Sequence, residues 1–72
     1  MNTREFKLSG DYVALCDLLK LAGMADSGGQ GKSMIERGDV TVDGQPESRK
    51  RAKIRANQTV RCHGQTVLVV AS

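Results

Sequence analysis

Apolar and polar positions change their period several times along this 72-residue chain, and each change marks an element. Glu5 to Leu8 alternates polar and apolar residues, the pattern of a short edge strand, with Ser9 and Gly10 closing it. From Asp11 the period becomes helical: Tyr12, Leu15, Leu18, Leu19 and Ala22 recur at three- and four-residue steps and form one apolar stripe. Asp11 is placed to cap that helix and Gly23 to stop it. Ser27 to Arg37 predicts a second helix, because Ser27-Gly28-Gly29-Gln30 has the S-x-x-Q form of a capping box and Gly38 stands at its end. The inward side would carry Gly31, Met34 and Ile35. A glycine in a helix interior costs about 1 kcal/mol relative to alanine, which close approach of the two helices would offset.

After Gly38 the period is two. Val40 and Val42 flank Thr41, and Asp43-Gly44 is the strongest hairpin signal in the chain. Pro46 has no N–H to give to a ladder and so confines the return segment to an edge. Lys53-Ile54 reads as extended and Asn57-Gln58 as a turn. Thr59 to His63 and Thr66 to Val70 read as a second hairpin closed near Gly64-Gln65. Two short helices followed by hairpins predict one α+β domain over residues 1–72, its helices packed on one face of a small, mainly antiparallel sheet.

Size and composition narrow this picture. Seventy-two residues leave room for one modest core. The aromatic residues are only Phe6 and Tyr12, so Leu, Val, Ile, Met and Ala must build that core, and stacking of nucleobases on exposed rings is not expected. The longest apolar run, Val67 to Ala71, falls far short of the roughly 20 residues a membrane helix needs. Met1 to Ser9 lacks the hydrophobic segment of a secretory signal, so the expected location is the cytoplasm. Cys16 and Cys62 show neither C-x-x-C nor Cys/His ligand spacing. They are expected to be reduced core residues, with no metal and no cofactor.

Charge adds the first functional signal. Residues 1–47 hold five basic and eight acidic groups, a net −3, whereas residues 48–72 hold six basic groups and no acid, a net +6. Arg49, Lys50, Arg51, Lys53 and Arg55 crowd five of these cations into seven residues. Like charges at that density repel, and a nucleic-acid backbone is a natural offset. Asp26-Ser27-Gly28-Gly29-Gln30-Gly31-Lys32-Ser33 superficially suggests a nucleotide-binding P-loop. Asp26 stands where that motif needs glycine, and a helix precedes it instead of a buried strand, so nucleotide hydrolysis is not expected. The first turn of the second helix is still a natural phosphate perch, with Lys32 in reach. His63, the single histidine, would lie in a strand on the opposite face from Cys62, which allows neither a metal site nor a nucleophile and base pair. No pair of carboxylates has an active-site spacing, and no catalytic residue is assigned.

From Tyr12 to Val70 the chain resembles the S-four domain, the small RNA-binding domain named after the fourth protein of the small ribosomal subunit. The resemblance is carried by Leu18-Leu19-Lys20-Leu21-Ala22-Gly23, by Ser27-Gly28-Gly29 with Lys32 and Ile35, and by Gly38-Asp39-Val40-Thr41-Val42-Asp43-Gly44. Arg49-Lys50-Arg51, Lys53-Ile54 and Val60 complete it. It is most similar to members in which the domain is the whole protein. The resemblance implies the helix-and-hairpin arrangement of the αL motif and RNA binding through the second helix, the adjoining β-turn and the basic segment; the folded protein is expected to be a monomer. The candidate contacts are Ser27, Gln30, Lys32, Arg49, Lys50, Arg51, Lys53 and Arg55. Gly28 stands where many members have arginine, Gly31 where most have alanine, and Asn57-Gln58 where Gly-Asp is usual. The first departure removes one expected phosphate or base contact. Ribosomal, transfer and small RNAs all fit as partners, on the ribosome or in RNA processing. The alternative class is an accessory module docking an acidic protein or an RNA-modifying enzyme.

Overall fold

The computed structural model describes residues 2–72. Its strands are β1 (Asn2–Lys7), β2 (Val13–Ala14), β3 (Val40–Val42), β4 (Gln45–Pro46), β5 (Lys53–Ile54), β6 (Thr59–Cys62) and β7 (Gln65–Val70). Two helices, α1 (Leu15–Leu21) and α2 (Gly28–Glu36), lie between β2 and β3. Five strands form one sheet in the order β1-β7-β6-β3-β4, antiparallel throughout except for β1, which runs parallel to β7. β2 and β5 form a separate antiparallel pair. The expected α+β class holds.

Alternation in the strands decides which face of the sheet is buried. Val40 and Val42, Val60 and Cys62, and Val67 and Val69 point inward, against Leu15, Leu18, Leu19, Met34 and Ile35 of the helices. Full burial of each such aliphatic side chain stabilises by about 1.5–3 kcal/mol relative to exposure. Both cysteines are free and buried in this core. Burial also pushes the Cys62 thiol above its ordinary pKa, because the thiolate would lose its hydration.

The helix ends follow the local chemistry. Ser27 has extended backbone and its Oγ accepts from the Gln30 N–H at 3.1 Å. The Gln30 carboxamide oxygen accepts in turn from the Asp26 N–H, one residue before the cap, a displaced form of the expected capping box. At the other end Gly38 takes φ +80°, its N–H bonds the Ile35 carbonyl at 3.0 Å, and the Asp39 N–H bonds the Met34 carbonyl at 3.1 Å. That is a Schellman closure. The interior glycine of α2 is also explained: a Cβ on Gly31 would stand 3.0 Å from the carbonyl oxygen of Cys16 in α1.

Three expectations require correction. The first helix starts at Leu15, with Ala14 as a cap that has no side-chain bond, and neither Asp11 nor Tyr12 belongs to it. The reason is that Val13 and Ala14 are drawn into pairing with Ile54 and Lys53, which leaves Tyr12 exposed instead of in the apolar stripe. The edge strand is Asn2–Lys7 rather than Glu5 to Leu8, and Leu8 instead turns into the core. Its parallel partner fixes the length, since β7 offers six residues of ladder, from Gln65 to Val70. The last hairpin turns at His63-Gly64, both with positive φ, and Gln65 already pairs with Cys62. His63 is thus a turn residue and not the end of a strand.

Candidate nucleic-acid interface

The basic segment is shaped by the two apolar residues inside it. Ala52 and Ile54 are buried, so the residues alternating with them, Arg51, Lys53 and Arg55, are turned to solvent. The backbone is held as firmly as the side chains: the Ala52 carbonyl accepts from the Leu15 N–H at 2.9 Å and the Lys50 carbonyl from the Cys16 N–H at 3.0 Å. These are the first N–H groups of α1, which no side chain caps, so the basic segment supplies the helix with its missing acceptors. A turn closed by the Ala52 N–H on the Arg49 carbonyl, 3.2 Å, precedes the strand. The surface groove here is lined by Arg49, Arg51, Ala52 and Lys53.

The eight candidate residues do not all converge. Arg49, Arg51 and Lys53 share the groove, and Arg55 follows Lys53 along the same exposed edge. Lys50 turns toward α2, where its Nζ lies 3.0 Å from a carboxylate oxygen of Glu36. Lys32 sits one turn before Glu36 on α2 and is exposed, so it shares the helix face that Lys50 meets. Ser27 and Gln30 lie toward the other end of α2, about 13 Å and about 9 Å along the axis from Glu36 at about 1.5 Å per residue. Their capping bonds use the Ser27 oxygen and the Gln30 carbonyl, so the Ser27 hydroxyl proton and the Gln30 amide protons are what they can still offer a ligand.

Two acids that the charge count had set apart from the basic run enter the site. Glu47 accepts from the Arg49 Nε at 3.2 Å, from its Nη2 at 3.2 Å and from its backbone N–H at 3.0 Å. Arg49 thereby holds the Glu47 carboxyl below the usual carboxylate range, and Glu47 in return makes Arg49 harder to deprotonate. With Glu36 on Lys50 and Glu47 on Arg49, the cations left without an acidic partner among the described residues of the segment are Arg51, Lys53 and Arg55.

One side chain that the periodicity assigned to the core belongs here. Tyr12 follows the β2 and β5 register to a position opposite Arg55 and is 47% exposed. The Lys53 Nζ lies 5.0 Å from its ring centroid and the Arg55 Cζ 5.8 Å. The signal that could have found it is the alternation Arg51-Ala52-Lys53-Ile54-Arg55, which demands a partner strand, and that partner, Val13-Ala14, lies in residues whose spacing reads as helical.

Elsewhere the chemistry is sparse. His63 lies in an exposed turn with its Nε2 3.1 Å from Asp39, and that hydrogen bond, followed by the Arg37 charge, holds the Asp39 carboxyl below its ordinary range. Cys62 faces the core and does not meet it. Among the described residues no three Cys, His, Asp or Glu side chains gather as a metal site, and no helix is long and apolar enough to cross a membrane. The glycine-rich segment that opens α2 follows α1 and not a buried strand, unlike a P-loop.

Comparison with known proteins agrees with this fold. The family model described as S4 domain, the S-four domain, matches residues 6–70. The YbcJ proteins of Escherichia coli (strain K12) and of Shigella flexneri are each 57% identical over 60 residues, covering 83% of this chain and 86% of theirs. A solution structure of YbcJ from E. coli, described as revealing an αL motif involved in RNA binding, superposes with a TM-score of 0.76. It is 51% identical, with 99% of this chain and 91% of that one covered.

Proposed function

The chain belongs to the S4 domain family, and from that premise we propose that it is a non-catalytic RNA-binding protein that grips structured RNA mainly by its phosphates. The observation that carries the reading is the outward row of Arg51, Lys53 and Arg55 on a strand anchored by Ala52 and Ile54. Arg49 and Lys50 extend this surface toward α2. Lys32, Ser27 and Gln30 complete it along the helix. The RNA-binding αL motif described for YbcJ supports the same reading.

Structured RNA fits better than duplex DNA. The longer helix has nine residues and is packed on α1 through Gly31, so no free helix is available for a major groove. A rigid positive edge suits recognition by shape and backbone. The protein acts as a monomer, in the cytoplasm, on ribosomal, transfer or small RNA.

The test is a salt titration of RNA affinity. Neutralising about three to five phosphates gives a slope of log affinity against log salt on the order of −2 to −4. Arg51→Ala and Lys53→Ala each reduce that slope by roughly one unit and weaken binding to many RNAs alike. Lys7→Ala, on the β1 edge, is the control. Arg4 is unsuited to that use, because its Nη1 donates to the Ala22 carbonyl at 2.6 Å and so closes the end of α1. Equal losses from Lys7→Ala and Arg51→Ala would reduce the proposal to diffuse charge attraction. Retention of an acidic protein with no RNA at physiological salt would favour an accessory module instead.

A further inference from the structure

We propose that Tyr12 is a stacking platform for a nucleobase, so that the RNA seated on the cationic edge is unpaired there, in a loop, a bulge or a single strand. The inference rests on the RNA-binding reading above and goes beyond it by naming which form of RNA the edge accepts.

Tyr12 and Leu21 are the large hydrophobic residues left exposed among those described, at 47% and 62%. They differ in their surroundings. Leu21 ends α1, where Lys20 is the basic residue of the last turn and the Arg4 guanidinium is engaged by the Ala22 carbonyl, and its aliphatic side chain has no face on which a base could stack. Tyr12 has the Lys53 ammonium and the Arg55 guanidinium beside its ring, at 5.0 and 5.8 Å from its centroid. Those two cations point outward and have no acidic partner among the described residues. An aromatic face beside two phosphate-binding groups is the pairing by which proteins hold unpaired nucleotides: the cations follow the backbone while the ring takes the base.

The ring is also prepared for that task. Val13 and Ala14 pair with Ile54 and Lys53, and the next residues, Leu15 and Cys16, are bonded to the Ala52 and Lys50 carbonyls. The backbone that carries Tyr12 is therefore tied to the strand that carries the cations. Attraction of Lys53 and Arg55 to the ring restrains its rotamer before any ligand arrives. Little entropy remains to be lost on stacking. A regular A-form duplex has its bases stacked internally and offers no free face, so the ring favours unpaired nucleotides over duplex. Stacking is tolerant of base identity, so the preference is for RNA form and not for sequence.

The experiment compares an RNA hairpin carrying 2-aminopurine in its loop with a blunt RNA duplex. The protein is used as wild type, Tyr12→Phe and Tyr12→Leu, each at several salt concentrations. Tyr12→Leu is expected to weaken loop binding about five-fold or more, to leave duplex binding nearly unchanged, and to leave the salt slope unchanged because no charge is lost. Tyr12→Phe keeps the affinity. Wild type and Tyr12→Phe quench the 2-aminopurine emission to saturation, and Tyr12→Leu does not. Wild-type loop affinity in Tyr12→Leu would overturn the stacking role while leaving phosphate binding intact. Equal weakening on both RNAs with a shallower slope would reduce Tyr12 to a support for Lys53 and Arg55, and would also overturn it. Should Tyr12→Leu not fold, absence of quenching by wild type and Tyr12→Phe decides against stacking. A wild-type protein that retains neither RNA overturns the RNA-binding reading and this inference together.

Discussion

Replacing Gly31 by alanine sets two effects of known size against each other. Alanine in a helix interior is favoured over glycine by about 1 kcal/mol. The added methyl would meet the Cys16 carbonyl oxygen at 3.0 Å, and the Cys16 Cα and Leu19 Cβ at 3.6 Å each. The last two are ordinary contacts, but the first is too close by a few tenths of an ångström, and the atom in the way is backbone. α1 cannot retreat freely, because Cys16 is bonded through its N–H to the Lys50 carbonyl. Overpacking against a held structure costs about 1–3 kcal/mol, so Gly31→Ala is expected to lose about 1 kcal/mol net. For a domain of this size that lowers Tm by roughly 4–8 °C. Gly28→Ala is the matched control: it is the first residue of the same helix and has nothing within 4 Å of its would-be Cβ. It should gain up to about 1 kcal/mol through the entropy of the unfolded chain. Urea denaturation followed by far-UV circular dichroism measures both. A Gly31→Ala protein as stabilised as Gly28→Ala would refute close packing of α1 on α2.

Ser27→Ala removes the acceptor of the Gln30 N–H and should cost about 1 kcal/mol; an unchanged denaturation midpoint would remove the cap from the account. Glu47 has a depressed pKa in the folded state, so its contribution to stability is present above the ordinary glutamate range and is lost as pH falls through the lower, folded value. Glu47→Gln should therefore flatten the acid limb of stability against pH. It should also tighten RNA binding and steepen its salt slope, because Arg49 is released from its acid. Weaker RNA binding by a folded Glu47→Gln protein would show instead that Glu47 positions Arg49 productively.

Strong local rules were legible before the structure. Ser27 and Gln30 announced the start of α2, Gly38 its end, and Asp43-Gly44 the first hairpin, because in each case a few neighbouring residues decide the backbone. The buried valines of β3, β6 and β7 were readable from their alternation. What failed depended on partners far away in sequence. Tyr12 has helical spacing with Leu15 and Leu19, and that signal is real, but pairing of Val13 and Ala14 with β5 overrides it. The parallel β1 and β7 pair joins the two ends of the described chain, a contact to which local periodicity is blind. The same limit applied to charge: Glu36 and Glu47 count with the acidic part of the sequence but fold onto Lys50 and Arg49. The formal +6 of the C-terminal segment thus overstates the free positive charge: the row that remains is Arg51, Lys53 and Arg55, with Arg61 apart from it on β6.

That row is also the part of the surface most closely tied to the core. A flexible basic loop would have to be ordered by its ligand, and the lost backbone freedom, about 1–2 kcal/mol for each residue fixed, would oppose binding. Here the ordering is done during folding. Ala52 and Ile54 are anchored among the helices, and the carbonyls of Lys50 and Ala52 cap the start of α1. Cys16, which donates to one of those carbonyls, is the residue against which Gly31 packs. A chain of contacts thus runs from the middle of α2, through the first turn of α1, into the cationic strand. The small side of Gly31 and the uncapped start of α1, each unfavourable when considered alone, are what bring the helix, the strand and Tyr12 into one rigid edge. Rigidity of this kind would give the proposed phosphate contacts a fixed spacing, and with fixed spacing a row of cations beside one aromatic ring can distinguish one RNA shape from another.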